Sequence, residues 1–407
     1  MTSTTAFSPV NTLAGANLAA QAAEQLSLAA VPIVAVMLLN AGPGEIGLLA
    51  SVQTLPFLLL SIPLGMLADK TSRRRLMMGA ELLRALSLLG LLAVVVAGQL
   101  SIAALAVLGF IGAVGTVGFS VAAPALLPAL VPREQLVQAN GRLELARSAA
   151  YAAGPALGGA LVAWTGAAPA FVIAALLSLS AAVLLAQLVE PQRPPAPRRH
   201  PLHDLAEGAR GVWHSTLLRP ILLCAVAWNL SWFVLQAAYV PYAMRVLGLN
   251  AGGVGSTLAS YGVGMIVGAL LAPRIMARLS FGHAVLLGPA VSVLAMGTMV
   301  GTLFLPHGAL AGLAFFFFGV GPIIWTITST TLRQTVTPPA MLGRVGAIFL
   351  TVNAGARPVG AALGGAVGAS FGEAACLWLA LGGFCVQAAV IFSSQLRVLE
   401  RLPSPAN

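Results

Sequence analysis

Apolar runs long enough to cross a bilayer follow one another along almost the whole chain, and they limit what it can fold into. A helix needs about 20 apolar residues to span the hydrocarbon core, and runs such as LLRALSLLGLLAVVVAG, residues 82–98, are of this kind. Only 8% of the 407 residues are charged, against about 25% in an ordinary soluble domain. That excludes a water-soluble globular fold. A β-barrel would show segments of about 10 residues alternating in polarity, and the continuous Leu/Ala/Val/Gly runs do not alternate.

Gly, Pro and charged residues punctuate the runs into twelve expected spans. They lie near Thr12–Leu39, Ile46–Leu67, Leu76–Ala97, Ile102–Leu127, Gly141–Trp164, Pro169–Leu188, Pro220–Ala243, Val254–Ile275, His283–Leu305, Ala309–Thr331, Val345–Ala369 and Ala374–Phe392. The opening segment has no basic region, so it does not read as a signal peptide, and the first span is expected to stay. The longest polar stretch, Glu190 to Pro220, has a Pro-rich start that reads as a linker and a second half that reads as a short surface helix. The expected organisation is a six-helix bundle over 1–189, a linker over 190–219 and a second bundle over 220–407. A repeat supports two halves: GPALGGA at Gly154–Ala160 returns as GAALGGA at Gly360–Ala366. The fold class expected is therefore all-α, with twelve transmembrane helices in two pseudo-symmetric six-helix bundles. Parallel repeats of this kind suit a transporter that rocks one bundle against the other.

The formal charge of +10 is distributed by side. Lys70, Arg73–Arg75, Arg133, Arg193, Arg198, Arg199, Arg210, Arg274, Arg278, Arg333, Arg397 and Arg401 fall on one side of the alternating connections. Arg245 is the one basic residue assigned to the other. The positive-inside rule makes the basic side cytoplasmic, with both termini there, in a cell inner membrane. It also accounts for the charge without nucleic acid as a partner. Cys224, Cys376 and Cys385 lie in apolar spans without metal or redox spacing, and the five His form no HExxH cluster. No GxxxxGK[ST] loop occurs. Neither an enzyme nor a cofactor or metal requirement is expected, and the chain is expected to act as a monomer.

Five charges crowd between the second and third spans in GMLADKTSRRRLMM, Gly65 to Met78. With Gly65, Leu67, Ala68, Asp69, Lys70, Arg73, Arg74 and Met77, this loop resembles the hallmark loop of the major facilitator superfamily, with Ser72 where the family usually has Gly. The resemblance covers essentially the whole chain. GPALGG, with Gly154, Pro155, Gly158 and Gly159, is similar to a motif of the family's antiporting exporters. The segment from Ala125 to Ala150 has the look of a bacterial branch that exports drugs and siderophores. The Arg that many of the family's drug/proton antiporters carry in the fourth span is absent here. The resemblance implies a secondary transporter, with Asp69 facing the start of the eleventh span, Gly65 allowing close approach there, and the loop acting as a cytoplasmic latch.

Charges inside spans are costly and usually functional. Glu24 lies near the middle of the first span, with Asn17, Gln21 and Gln25 at helical spacing on the same face. Such a face could line a cavity, and Glu24 could take up and release a proton or bind a cation; a later start to the span would put it nearer an interface instead. Arg357 lies well inside the eleventh span and could pair with an acidic group or hold an anionic substrate. Glu81 and Arg84, and Glu144 and Arg147, are spaced i,i+3, which reads as local ion pairing, with a cytoplasmic gate as the alternative. Gln53, Asn229, Gln236, Trp228, Trp232, Tyr239 and Trp325 could contribute a mixed polar and aromatic cavity. Gly158 and Gly159 remove side chains where another helix must pack, which suits a seam between halves.

These features lead to one expectation of function: proton-coupled export of a small amphipathic organic molecule by alternating access. The same architecture would also serve an importer, a uniporter or a lysophospholipid flippase. A channel would need a repeated filter or charged ring, and a membrane enzyme a catalytic dyad at depth; neither occurs. If the loop is a latch, Asp69→Asn slows turnover and leaves substrate binding intact. Wild-type turnover in that variant would reduce the loop to an orientation signal.

Overall fold

The computed structural model describes residues 9–130, 136–190, 201–338 and 341–401; within these, the side chains of 69–70, 124–125, 128–129, 136–141, 144, 201–205 and 342–343 lie outside the description. The described residues form twelve α-helices: α1 (Pro9–Leu39), α2 (Pro43–Lys70), α3 (Arg73–Val96), α4 (Ile102–Leu130), α5 (Leu136–Thr165), α6 (Ala167–Ala186), α7 (Pro201–His214), α8 (Leu218–Arg245), α9 (Ala251–Arg278), α10 (Phe281–Gly301), α11 (Gly308–Val336) and α12 (Leu342–Phe392). Ten of them are long and apolar enough to cross a membrane. Helices suit this solvent because every backbone hydrogen bond closes within the segment.

Helix α12 accounts for two spans. Its 51 residues would run about 75 Å if straight, more than twice the hydrocarbon thickness of about 30 Å. Gly372 breaks it with φ 80° and ψ 175°, a conformation open to a residue without Cβ. The chain doubles back there, because Val345 near one end and Ile391 near the other belong to the same buried cluster. With α12 counted twice and the more polar α5 included, α1–α6 and α8–α12 supply the twelve expected spans. Helix α7 is the surface helix expected in the second half of the linker; the Pro-rich first half, 191–200, lies outside the described residues.

The contacts divide the chain into two units. One contains residues up to Leu39 and Val52–Pro197; the other contains Asn40–Ser51 and the chain from Arg198. The short segment Asn40–Ser51 groups with the second unit because α2 starts against α12. A Cβ at Gly47 would lie 2.4 Å from the Gly365 Cα, so backbones touch, and Ser51 donates to the Pro358 carbonyl at 3.0 Å.

Each unit repeats the same internal packing. Helix α5 lies on α1, and α6 on α1 and α3, as α12 lies on α8 and α10. The sequence repeat performs one task twice. A Cβ at Gly154 would come within 2.5 Å of the Gln25 Cβ, and one at Gly158 within 3.0 Å of the Leu26 carbonyl, both on α1. In the second unit, Gly360 and Gly364 meet Leu230 and Val234 of α8 at 2.5 and 2.8 Å. The GPALGG face, expected at a seam between halves, thus packs the fifth span on the first span of its own half. Gly159 is buried beside it, and Pro155 sits inside the helix.

Helix starts are also capped in parallel. Ser72 accepts from the Arg75 amide to open α3, and Ser280 accepts from the His283 amide to open α10. The chain that follows the sixth span of each half supplies the remaining acceptors. The Glu190 carboxylate receives the Arg73 and Arg74 amides at 3.2 and 3.1 Å. The Leu399 and Glu400 carbonyls receive the Gly282 and Phe281 amides at 2.7 and 3.2 Å.

Adding a methyl group at one of these helix contacts forces the backbones apart, at a cost of about 1–3 kcal/mol. Gly360→Ala should therefore lower the melting temperature of the detergent-purified protein. Gly297→Ala, whose Cβ would meet nothing within 4 Å, should not lower it.

Candidate functional site

Among the described residues, the deepest charges of the first unit are Glu81 and Arg84, on α3. They are 0% and 4% exposed, and Glu81 lies about 12 Å along the helix from its start. Arg84 Nη1 lies 3.1 Å from Glu81 Oε1 and 3.2 Å from Oε2. The same nitrogen donates to the Ala20 carbonyl of α1 at 2.8 Å, and Nη2 donates to Thr116 Oγ1 of α4 at 3.1 Å. Gly115 makes this reach possible, since a Cβ there would lie 2.4 Å from the Ala80 carbonyl. Arg84 is thus the pin that joins α1, α3 and α4 through charge-assisted hydrogen bonds. The charge-free fourth span, where a family Arg was missing, is bonded to a guanidinium from its neighbour.

Glu24 of α1 is half-buried and interacts electrostatically with Glu81, which Ser178 of α6 also faces. Two carboxylates and one guanidinium therefore interact within the first unit. The polar face of α1 is divided between tasks. Asn17 donates to the Leu143 carbonyl of α5 at 3.1 Å, and Gln25 is buried against Gly154. Gln21 and Glu24 remain half-buried. Glu81 and Arg84 are the local ion pair expected from their spacing, held in the core of the unit. Arg147 of α5 lies over the Tyr151 ring at 5.6 Å, while the Glu144 side chain lies outside the described residues.

The basic loop is secured inside its own unit. Ser72 donates to Glu190 at 2.6 Å, and the carboxylate sits against the amides that open α3, where the helix dipole favours negative charge. Arg74 Nη1 donates to the Leu188 and Ala186 carbonyls at 2.6 and 3.2 Å, closing the end of α6. Ser72, the departure from the usual Gly, is therefore an N-cap. Glu190 escaped the sequence reading; the available signal was an acid directly after a span, opposite a Ser-Arg-Arg-Arg helix start. Gly65 is half-buried within α2. The side chains of Asp69 and Lys70 lie outside the described residues.

In the second unit the aromatic residues divide between packing and the polar faces. Trp232 is buried, stacked on Trp228 at 5.2 Å and 11°, and surrounded by Tyr261, Phe315 and Phe318. Tyr239 is fully buried with its hydroxyl bonded to Thr257. The Trp325 Cβ lies against Gly288 of α10. Trp232 and Tyr239 are buried inside the second unit, and Trp325 is half-buried. Asn229 is buried and donates to the Ala225 carbonyl at 2.9 Å. Gln236 is half-buried, and Gln53 of the first unit rests on Gly109 of α4. Arg357 is half-buried about 22 Å along α12. In the repeat, Gly154 matches Gly360, so Tyr151 and Arg147 match Arg357 and Asn353. The fifth span of each half therefore carries a cation within two turns of its glycine contact.

Arg245, the exception to the charge pattern, is held by backbone. Its Nη2 donates to the Asn40 and Ala41 carbonyls, both at 2.9 Å, and Nη1 lies 3.7 Å from Glu373. Asn40, at φ 53°, turns the chain out of α1 and aims its carbonyl at that guanidinium.

Removing one partner of a buried pair leaves a bare charge, at a cost of about 3–5 kcal/mol, whereas an apolar pair of similar size is often tolerated. Arg84→Ala should sharply reduce folded yield and melting temperature. Glu81→Leu with Arg84→Met should recover most of both.

A family model described as Major Facilitator Superfamily matches residues 13–361. The chain is 29% identical over 309 residues to the enterobactin exporter EntS of Citrobacter koseri, covering 75% of this chain and 72% of that protein. The EntS of Escherichia coli O81 is 28% identical over the same shares. Among solved structures, the nucleoside transporter NupG superposes with a TM-score of 0.75 at 12% identity, over 95% of this chain and 98% of that one. A D-xylose–proton symporter gives 0.74 at 15% identity, over 97% and 99%. These structures share the fold. With twelve spans, repeated halves and the hallmark loop, this multi-pass membrane protein belongs to the Major Facilitator Superfamily of transporters.

Proposed function

We propose that the chain is a proton-coupled exporter of a small amphipathic organic molecule, with Glu24 as the coupling carboxylate. The observation that carries this reading is the grouping of Glu24, Glu81 and Arg84 inside the first unit. With both acids ionised the group carries one net negative charge; a proton on Glu24 brings it to zero. That change alters the attraction on Arg84, whose bonds join α1, α3 and α4. A charge event at one side chain is thereby tied to the packing of three spans, which is what a bistable transporter needs. The direction of transport, outward, is taken from the enterobactin exporters to which the chain is similar. Gln21, Gln236 and Arg357 are the polar side chains we assign to substrate, with Arg357 facing any anionic group it carries.

The gating assignments belong to the same proposal. Asp69 is the latch carboxylate, and the loop that bears it is anchored by Arg74 and Glu190 at the end of α6. The basic ends of the spans face the cytoplasm of a cell whose inner membrane holds the protein, and one chain is the transporting unit.

The test is accumulation of a dye, drug and siderophore panel in efflux-deficient cells, with and without a protonophore. Export by the wild type should collapse when the protonophore is added. Glu24→Gln should accumulate substrate to the level of cells without the transporter, at unchanged expression and melting temperature. Protonophore-sensitive export by that variant would remove Glu24 from the coupling step.

A further inference from the structure

Helix α7 has two unlike faces. The inner one is fixed to the start of α12. Val212 is 1% exposed in the cluster that includes Val345 and Ile348. Gly208 brings the backbones together, since a Cβ there would lie 2.8 Å from the Arg344 carbonyl. Glu207 pairs with Arg344 on the same side. The outer face carries Ala206, Ala209, Arg210 and Trp213 at helical spacing, and all four are exposed, Trp213 at 55%.

This face lies at the level of the bilayer surface. Only Ser215, Thr216 and Leu217 separate the end of α7 from α8, which enters the membrane at Leu218, and three residues reach at most about 11 Å. An exposed Trp flanked by Arg is the composition of a helix seated among headgroups. The charge is one-sided. Arg193, Arg198, Arg199, Arg210 and Arg219 fall between Glu190 and Pro220, against the acids Glu190, Asp204 and Glu207. Two of those acids are engaged elsewhere, Glu190 at the start of α3 and Glu207 with Arg344. Arg210 and Arg219 are exposed.

We infer that the outer face of α7 binds the headgroups of anionic phospholipids, with Trp213 inserted at the interface and Arg210 and Arg219 on phosphate. The inner face transmits that attachment to the segment leading into the eleventh span. This inference needs only that the chain spans a membrane, so it stands apart from proton coupling.

The test uses the full chain with Cys385→Ala and Ala209→Cys, Cys224 and Cys376 being buried. An environment-sensitive fluorophore is attached at 209, and the protein is placed in nanodiscs of phosphatidylcholine with or without phosphatidylglycerol. The expected result is blue-shifted emission and at least a two-fold lower quenching constant for aqueous acrylamide in the anionic discs. Arg210→Gln with Arg219→Gln should abolish the difference, and Trp213→Ala should reduce the blue shift. Equal quenching in both lipids overturns the inference, as does a lipid dependence unchanged by removal of the two arginines. Protection by soluble polyphosphate but not by anionic discs also overturns it, assigning the face to a soluble partner.

Discussion

Helices in hydrocarbon gain nothing from hiding apolar side chains from lipid, so they cohere through closeness of approach. Here glycine sets that closeness. Gly154 and Gly158 lay α5 along α1, and Gly360 and Gly364 lay the first arm of α12 along α8. The same device operates at Gly115 between α3 and α4, and at Gly47 between α2 and α12. Without these contacts, Arg84 could not touch three spans, and Ser51 could not reach the Pro358 carbonyl.

On that tight frame the polar groups follow two regimes. At the basic ends, charge completes helix termini. Glu190 satisfies amides of α3, and Arg74 satisfies carbonyls of α6, so each open end is closed by a side chain from its neighbour. Inside the first unit, Glu81 and Arg84 neutralise each other, and Arg84 also donates to the Ala20 carbonyl and the Thr116 hydroxyl. The first regime fixes where spans begin and stop. The second holds paired charge away from water, where the low dielectric strengthens the attraction between its members.

Much of this was legible in the residues. Apolar length announced the spans, and the Gly-rich repeat announced a shared packing in the two halves. The repeat's partner was not legible: spacing shows a small-residue face but not which helix fills it, so the GPALGG face was assigned to a seam rather than to α1. Residue type alone does not tell how deep an aromatic lies: Trp232 and Tyr239 are buried among other rings, while Trp325 is half-buried with its Cβ against Gly288 of α10. Glu190 and Thr116 escaped notice because each gains meaning only from a helix more than thirty positions distant. Local patterns such as the Glu81–Arg84 pair, a single turn apart, read correctly.

The break at Gly372 has a consequence for how the last two spans behave. A hairpin joined by one glycine has no slack, so its arms cannot slide or part without unwinding one of them. They must enter the bilayer together and move together afterwards.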